Sequence, residues 1–294
     1  MRSGKWWLVA LAFALMASGC AGDDKEPPSV LPTLFPSPAP EPADGSVRFV
    51  VLGDYGTGAS AQAEVANRLC NWRRDHPFDL IITTGDNIYE TGHSSRFEVA
   101  FFEPYACLIE SGVRFRATLG NHDIVTNDGR PELNEPALGM KARNYVIRKG
   151  GVRFVMVDSN RLRPGWIEKH LVPKAGDRWT VVVFHHPVYS TGAHGSTPGF
   201  RPTLPRLFEK YDVDLVLNGH EHSYEVTKKL KGIRYVITGG GGASLRPCGS
   251  PAWFTDRCAS RHHFLYVKAA KERLTIKAVG IRGRPFHVFR TRGR

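Results

Sequence analysis

Val47-Arg48-Phe49-Val50-Val51-Leu52-Gly53-Asp54-Tyr55-Gly56 is an apolar, β-branched run that stops at a carboxylate. Four further segments repeat the pattern. Ile81-Ile82-Thr83-Thr84 leads into Gly85-Asp86-Asn87-Ile88-Tyr89, and Ala117-Thr118-Leu119 into Gly120-Asn121-His122-Asp123. Val182-Val183-Phe184 ends at His185, and a run ending at Leu217 leads to Gly219-His220-Glu221-His222. Each run reads as a strand, and each supplies oxygen or imidazole donors where it stops. Loops at the carboxyl ends of strands are where α/β folds place ligands, so blocks far apart in sequence are expected to converge.

Taken singly, each block has a plain reading. Asp next to Gly is common in turns, and Asn121-His122 can be a turn with His122 at its tip. The repetition changes that reading. Two carboxylates and three or four imidazoles can hold two metal ions about 3.5–4 Å apart, with one carboxylate bridging. Asn121 is a weak neutral ligand, suited to an ion that keeps an exchangeable position. His220 and His222 are separated by one residue and share a face in extended geometry. His185 and His186 are adjacent and point to different sides, so only His185 is taken as a ligand and His186 is given no role.

Outward from these blocks, strands are expected at 47–53, 79–84, 113–119, 180–184 and 213–217, with a hairpin of 144–148 and 153–157 turning at Gly150-Gly151. Helices are expected at 60–75, 96–111, 166–171 and 201–211, the first with Ala63, Ala66, Leu69 and Cys70 on one face. The remainder is strand-rich: 223–230, 234–238, 263–269, 274–280 and 286–290. Strands alternating with helices, then a strand-rich end, argue for a layered α/β sandwich.

The first twenty residues stand apart. Arg2 and Lys5 precede an apolar run of about a dozen residues, too short to span a bilayer comfortably, and Ala17-Ser18-Gly19 leads to Cys20. This reads as an export signal, with Cys20 as the lipid-bearing residue of a bacterial lipoprotein; Ala17 stands where the cleavage box usually has Leu. Residues 21–46 hold seven of the twenty prolines and read as an extended spacer. The catalytic domain is then 47–294, an exported, membrane-anchored protein facing periplasm or cell exterior. The formal charge is +12, or +10 once residues 1–19 and their two cations are removed. A basic surface suits anionic, phosphorylated substrates. The five arginines between Arg282 and Arg294 lack interleaved aromatic platforms, which argues against nucleic acid. Of the four remaining cysteines, Cys248 and Cys258 flank a short Gly/Pro loop and are expected to pair. Cys70 and Cys107 are open between a second bridge and two buried thiols.

Together the five blocks resemble the calcineurin-like metallophosphoesterase superfamily, and within it the purple acid phosphatases of the small tartrate-resistant type. The resemblance runs from Val47 to the C-terminus, with the blocks in the family's order. It implies an α/β/β/α sandwich with two mixed sheets. Most members of the superfamily carry Asp-x-His in the first block. Here that block is Asp54-Tyr55-Gly56, without His, while the second has Tyr89, similar to the purple phosphatases' Gly-Asp-x-x-Tyr. A phenol has a pKa near 10 and needs a strongly Lewis-acidic ion, such as Fe³⁺, to ionise at neutral pH.

The resemblance implies that Asp54, Asp86, Tyr89 and His222 bind a ferric ion. Asp86, Asn121, His185 and His220 would bind a divalent ion (Fe²⁺, Zn²⁺ or Mn²⁺), with Asp86 bridging. His122 and His194 would lie near the phosphate, stabilise its oxygens and help protonate the leaving group. The activity implied is hydrolysis of small phosphate monoesters, extending into acid. Two readings compete: a phosphodiesterase or pyrophosphatase using the same centre, and a surface lipoprotein that binds without turnover. The second requires an eroded site, and no ligand position is eroded.

Overall fold

The computed structural model describes residues 44–292. The export signal, Cys20 and nearly all of the Pro-rich spacer lie outside the described residues.

Two strand–helix–strand–helix–strand runs build the two halves. The first consists of β1 (Val47–Leu52), α1 (Ser60–Asp75), β2 (Leu80–Thr83), α2 (Glu103–Ile109) and β3 (Arg114–Arg116). After the short α3 (Arg130–Asn134), β4 (Tyr145–Lys149) pairs in a hairpin with β5 (Val152–Met156). The second run continues through α4 (Pro164–Leu171), β6 (Trp179–Val183), α5 (Phe200–Lys210) and β7 (Leu215–Asn218). The closing strands are β8 (Tyr224–Thr227), β9 (Arg234–Thr238), β10 (Thr255–Ala259), β11 (His263–Ala269), β12 (Arg273–Gly280) and β13 (His287–Arg292). They divide between the halves. One sheet has the order β13-β12-β11-β1-β2-β3 and the other β10-β8-β9-β7-β6-β5-β4. Both are mixed: β1, β2 and β3 are parallel in one, and β5, β6, β7 and β9 in the other.

Strand alternation produces the layers, since successive side chains face opposite sides of a sheet. Phe49 and Val51 of β1 meet Phe154, Val181 and Val183 between the sheets. Val50 and Leu52 point the other way, onto Val65, Leu69 and Trp72 of α1 and Tyr105 of α2. On the far side, Val182 and Val216 pack on Ile167 and Leu171 of α4 and on Leu204 and Phe208 of α5. This is the expected α/β/β/α sandwich. Burial on both faces explains why the parallel strands read as continuous apolar runs.

Several details differ from the sequence reading. The buried face of α1 is Gln62, Val65, Ala66, Leu69 and Trp72, while Ala63 is exposed. Gln62 turns inward because its amide is satisfied there: it donates to the Ala100 carbonyl at 2.6 Å and accepts from the Gly58 amide at 2.7 Å. The helix expected at 96–111 is segmented, with Pro104 in the first turn of α2. Pro lacks an amide hydrogen and belongs at a helix start, not inside one. Strand β10 was not expected. It is an edge strand with exposed Asp256 and Arg257, and such charge guards an edge while hiding its alternation. Both cysteine pairs are disulfides: Cys70–Cys107 joins α1 to α2, and Cys248–Cys258 closes the loop ahead of β10.

Candidate metal centre

All five blocks meet at the carboxyl ends of β1, β2, β3, β6 and β7. The first two clasp each other directly: the Asp54 amide donates to the Gly85 carbonyl at 3.1 Å, and the Tyr55 amide to the Asp86 carbonyl at 3.2 Å. The glycines permit the approach. A Cβ on Gly120 would lie 2.1 Å from Asp86 Oδ1, and one on Gly219 would lie 2.4 Å from Asp54 Oδ2. Asp54, Asp86 and His220 all have positive φ, at 56°, 52° and 71°. Such backbone costs of order 1–3 kcal/mol per residue and persists only where the surroundings over-determine it.

The side chains form two donor groups that share Asp86. In the first, Tyr89 Oη lies 3.0 Å from Asp86 Oδ2 and 3.1 Å from His222 Nε2. His222 Nε2 is 3.6 Å from Asp54 Oδ1. In the second, His185 Nε2 is 3.4 Å from Asp86 Oδ2 and 3.0 Å from Asn121 Oδ1. His220 Nδ1 is 3.0 Å from Asn121 Oδ1 and 3.2 Å from His185 Nε2. Donor atoms of Asp54, Asp86 and His222 lie within 4.8 Å of one another. Every residue expected at the metals is therefore in one of these two groups.

Backbone carbonyls fix the imidazoles. His185 Nδ1 donates to the Thr84 carbonyl at 2.9 Å, and His222 Nδ1 to the Ser244 carbonyl at 2.8 Å. Each turns Nε2 into the site, and such a second hydrogen bond is usual for a metal-binding histidine. Burial lowers His185, but the charge and hydrogen bond of Asp86 outweigh it and raise the ring to about 9. Burial, with the neighbouring His185, His186 and His194, brings the His220 pKa down to about 2, and burial brings that of His222 to about 4, so both rings are neutral. Burial and the nearby Asp86 push Asp54 well up against the pull of His185. Burial alone would raise Asp86, but attraction and hydrogen bonding from His185, with help from His122, hold it below the carboxylate range. Burial and the two carboxylates push the Tyr89 phenol far up. Carboxylates and imidazoles crowded together out of water are a donor set that fits divalent and trivalent cations.

His122 lies against the first group and His194 against the second. The His122 amide donates to Asp86 Oδ1 at 3.0 Å, its Nδ1 donates to the Glu90 carbonyl at 2.7 Å, and its ring lies 4.5 Å from that of Tyr89. His194 stacks on His220 with centroids 4.3 Å apart. His186 bonds Ser159 Oγ at 2.9 Å, and burial lowers it to about 4; it is a packed, neutral ring.

Three residues escaped the sequence reading. Asp123 is buried and accepts from the amides of Asn87, Ile88 and Gly120 and from Asn87 Nδ2, tying the second block to the third. Glu221 accepts from the amides of His194 and Gly195, fixing that loop. Arg246 reaches His194, with Nη1 2.6 Å from Nε2. Asp123 and Glu221 stood inside quoted blocks; nothing in the local sequence distinguishes Arg246.

A protein-family model described as calcineurin-like phosphoesterase matches residues 47–224. The chain belongs to that family. This calcineurin-like phosphoesterase is 25% identical over 293 residues to purple acid phosphatase 4 of Arabidopsis thaliana, covering 86% of this chain and 85% of that protein. It is 24% identical over 306 residues to tartrate-resistant acid phosphatase type 5 of Homo sapiens, covering 86% and 93%. Among solved structures, a purple acid phosphatase from yellow lupin (Lupinus luteus) seeds superposes with a TM-score of 0.73 at 20% identity, over 85% of this chain and 55% of that one. GAP50, the anchor in the inner membrane complex of Plasmodium, gives the same TM-score of 0.73 at 17% identity, over 85% and 89%. Both structural likenesses establish the shared fold. Family membership makes the chain a phosphoesterase enzyme and implies a dinuclear metal centre.

Proposed function

We propose that the protein hydrolyses small phosphate monoesters, in acid as well as at neutral pH, at a centre of one ferric and one divalent ion. Asp54, Asp86, Tyr89 and His222 would hold the ferric ion. Asp86, Asn121, His185 and His220 would hold the divalent ion, and Asp86 would bridge. The observation that carries this reading is Tyr89 Oη, 3.0 Å from Asp86 Oδ2 and 3.1 Å from His222 Nε2. The curated relatives named purple and tartrate-resistant acid phosphatases support it.

Bound ions supply Lewis-acid polarisation of phosphate oxygens and lower the pKa of water. The remaining work falls to the chain. Thr84 and Ser244 carbonyls keep His185 and His222 oriented. His122 and His194 would bring ring nitrogens to the phosphoryl oxygens, and either can exchange a proton with the leaving oxygen. Glu221, through two amides, keeps His194 over the site.

We also read the chain as exported and tethered by a lipid on Cys20, with the Pro-rich segment as spacer. Mass spectrometry of membrane-extracted protein tests this: a mature N-terminus without a lipidated Cys20 sinks it. For the reaction, rates on a monoester and a diester of the same phenol are compared in the metal-loaded protein. Faster monoester turnover supports the reading, and diester preference overturns it.

A further inference from the structure

The loop after β9 wraps over the site and is pinned to it residue by residue. The Ala243 amide donates to the Asp54 carbonyl at 2.9 Å, the Ser244 carbonyl accepts from His222 Nδ1 at 2.8 Å, and the Arg246 amide donates to the His222 carbonyl at 3.1 Å. Two residues on, Cys248 is bridged to Cys258. Gly249 packs so closely on Thr191 that a Cβ would lie 1.8 Å from the Thr191 carbonyl oxygen. The backbone of Arg246 is thus fixed relative to two candidate metal ligands. Its side chain is half-buried and turned toward the site.

The guanidinium meets no carboxylate among the described residues. Its Nη1 instead lies 2.6 Å from His194 Nε2, on the ring stacked over His220. The acid beside His194 is Glu221: Oε1 accepts from the His194 and Gly195 amides, and the buried Oε2, without a hydrogen-bond partner among the described residues, lies 3.6 Å from His194 Nδ1. A guanidinium carries five donors and no acceptor. Nη1 donates to the imidazole nitrogen, and the guanidinium's remaining donors meet no carboxylate among the described residues. An anionic group bound at the open edge of the fork would accept from them, and the planar fork matches carboxylate or phosphate in two-point contact.

We propose that Arg246, beside His194, forms a subsite for a second anionic group, so that the enzyme prefers phosphate monoesters whose leaving group bears a carboxylate or another phosphate. This rests on the phosphomonoesterase reading above. The reacting phosphate occupies the metal side of His194. The second group lies on its far side, held by the loop that the Cys248–Cys258 bridge closes.

The test uses the full chain loaded with metal and three substrates of one shape: phenyl phosphate, para-carboxyphenyl phosphate and para-phenylene bisphosphate. kcat/KM is measured for wild type, R246Q and R246K. In wild type, the charged compounds should exceed phenyl phosphate by about tenfold or more, the range of a charge-assisted hydrogen bond. R246Q should erase that ratio chiefly through KM, and R246K should keep part of it. The carboxyl and bisphosphate arms tell which anion fits better. A ratio near one in wild type, or a ratio that R246Q leaves unchanged, overturns the proposal. If wild type hydrolyses none of the three, the phosphomonoesterase reading fails. Calorimetric affinities of the same compounds then read the subsite: a charged-to-neutral ratio insensitive to R246Q overturns it, and one that R246Q erases supports it.

Discussion

Asp86 is the residue on which both donor groups depend, because its carboxylate faces Tyr89 and His185 at once. Asp86→Ala should therefore empty both positions, not one, and reduce turnover to background; metal analysis reads the first effect and phosphate release the second. Retention of one full equivalent of metal would show that the two groups are independent. Asp54→Asn should spare the group around His185 and leave about one equivalent bound. The ligand positions were legible in the sequence because a Gly-Asp, Asn-His or His-x-His follows each apolar run. Arg246 was not legible: a lone arginine in a Gly/Pro loop has no periodicity, and only the fold brings it to His194.

Helix α3 was also absent from the sequence reading, being five residues long and too short for a periodic signal. Its Glu132 is fully buried, with no hydrogen-bond partner on either carboxyl oxygen among the described residues. Burial, and then the charge of Asp123, push it up to about 9. The folded protein thus keeps a proton on Glu132 between about pH 5 and pH 9 that the unfolded chain releases. Stability contributed by that proton is lost as pH rises through this window. Between pH 5 and pH 8, Tm of the metal-free protein should fall more for wild type than for Glu132→Gln; parallel declines would contradict the assignment. At the loop ahead of β10, removing Cys248–Cys258 should cost about 3 kcal/mol, from the entropy of a loop of that length. Double replacement by Ser, read by denaturant unfolding, checks the figure, and a cost below about 1 kcal/mol would mean the loop is held by its backbone contacts alone.

Across the whole molecule, the two sheets bring strands of distant sequence to one edge of the sandwich. The layer order followed from alternating strands and helices, since each parallel strand needs a crossover to return. The division of the last six strands between the sheets did not follow, because antiparallel neighbours can be joined in either sheet by short turns. The same architecture also carries the Plasmodium anchor, so chemistry here rests on the donor groups and not on the fold. Ions bound across both halves should stabilise the folded state, and chelation should lower Tm, the more so the further free metal falls. A ferric ion should extend activity well below neutrality; a pH profile confined to alkaline values would count against it. The ferric assignment stands or falls with Tyr89. The decisive measurement is the visible absorption spectrum of purified, metal-analysed protein. A tyrosinate-to-iron band, with iron as one of two metals per chain and the band abolished in Tyr89→Phe, is the expected result. A colourless protein with both positions filled by divalent ions would contradict it.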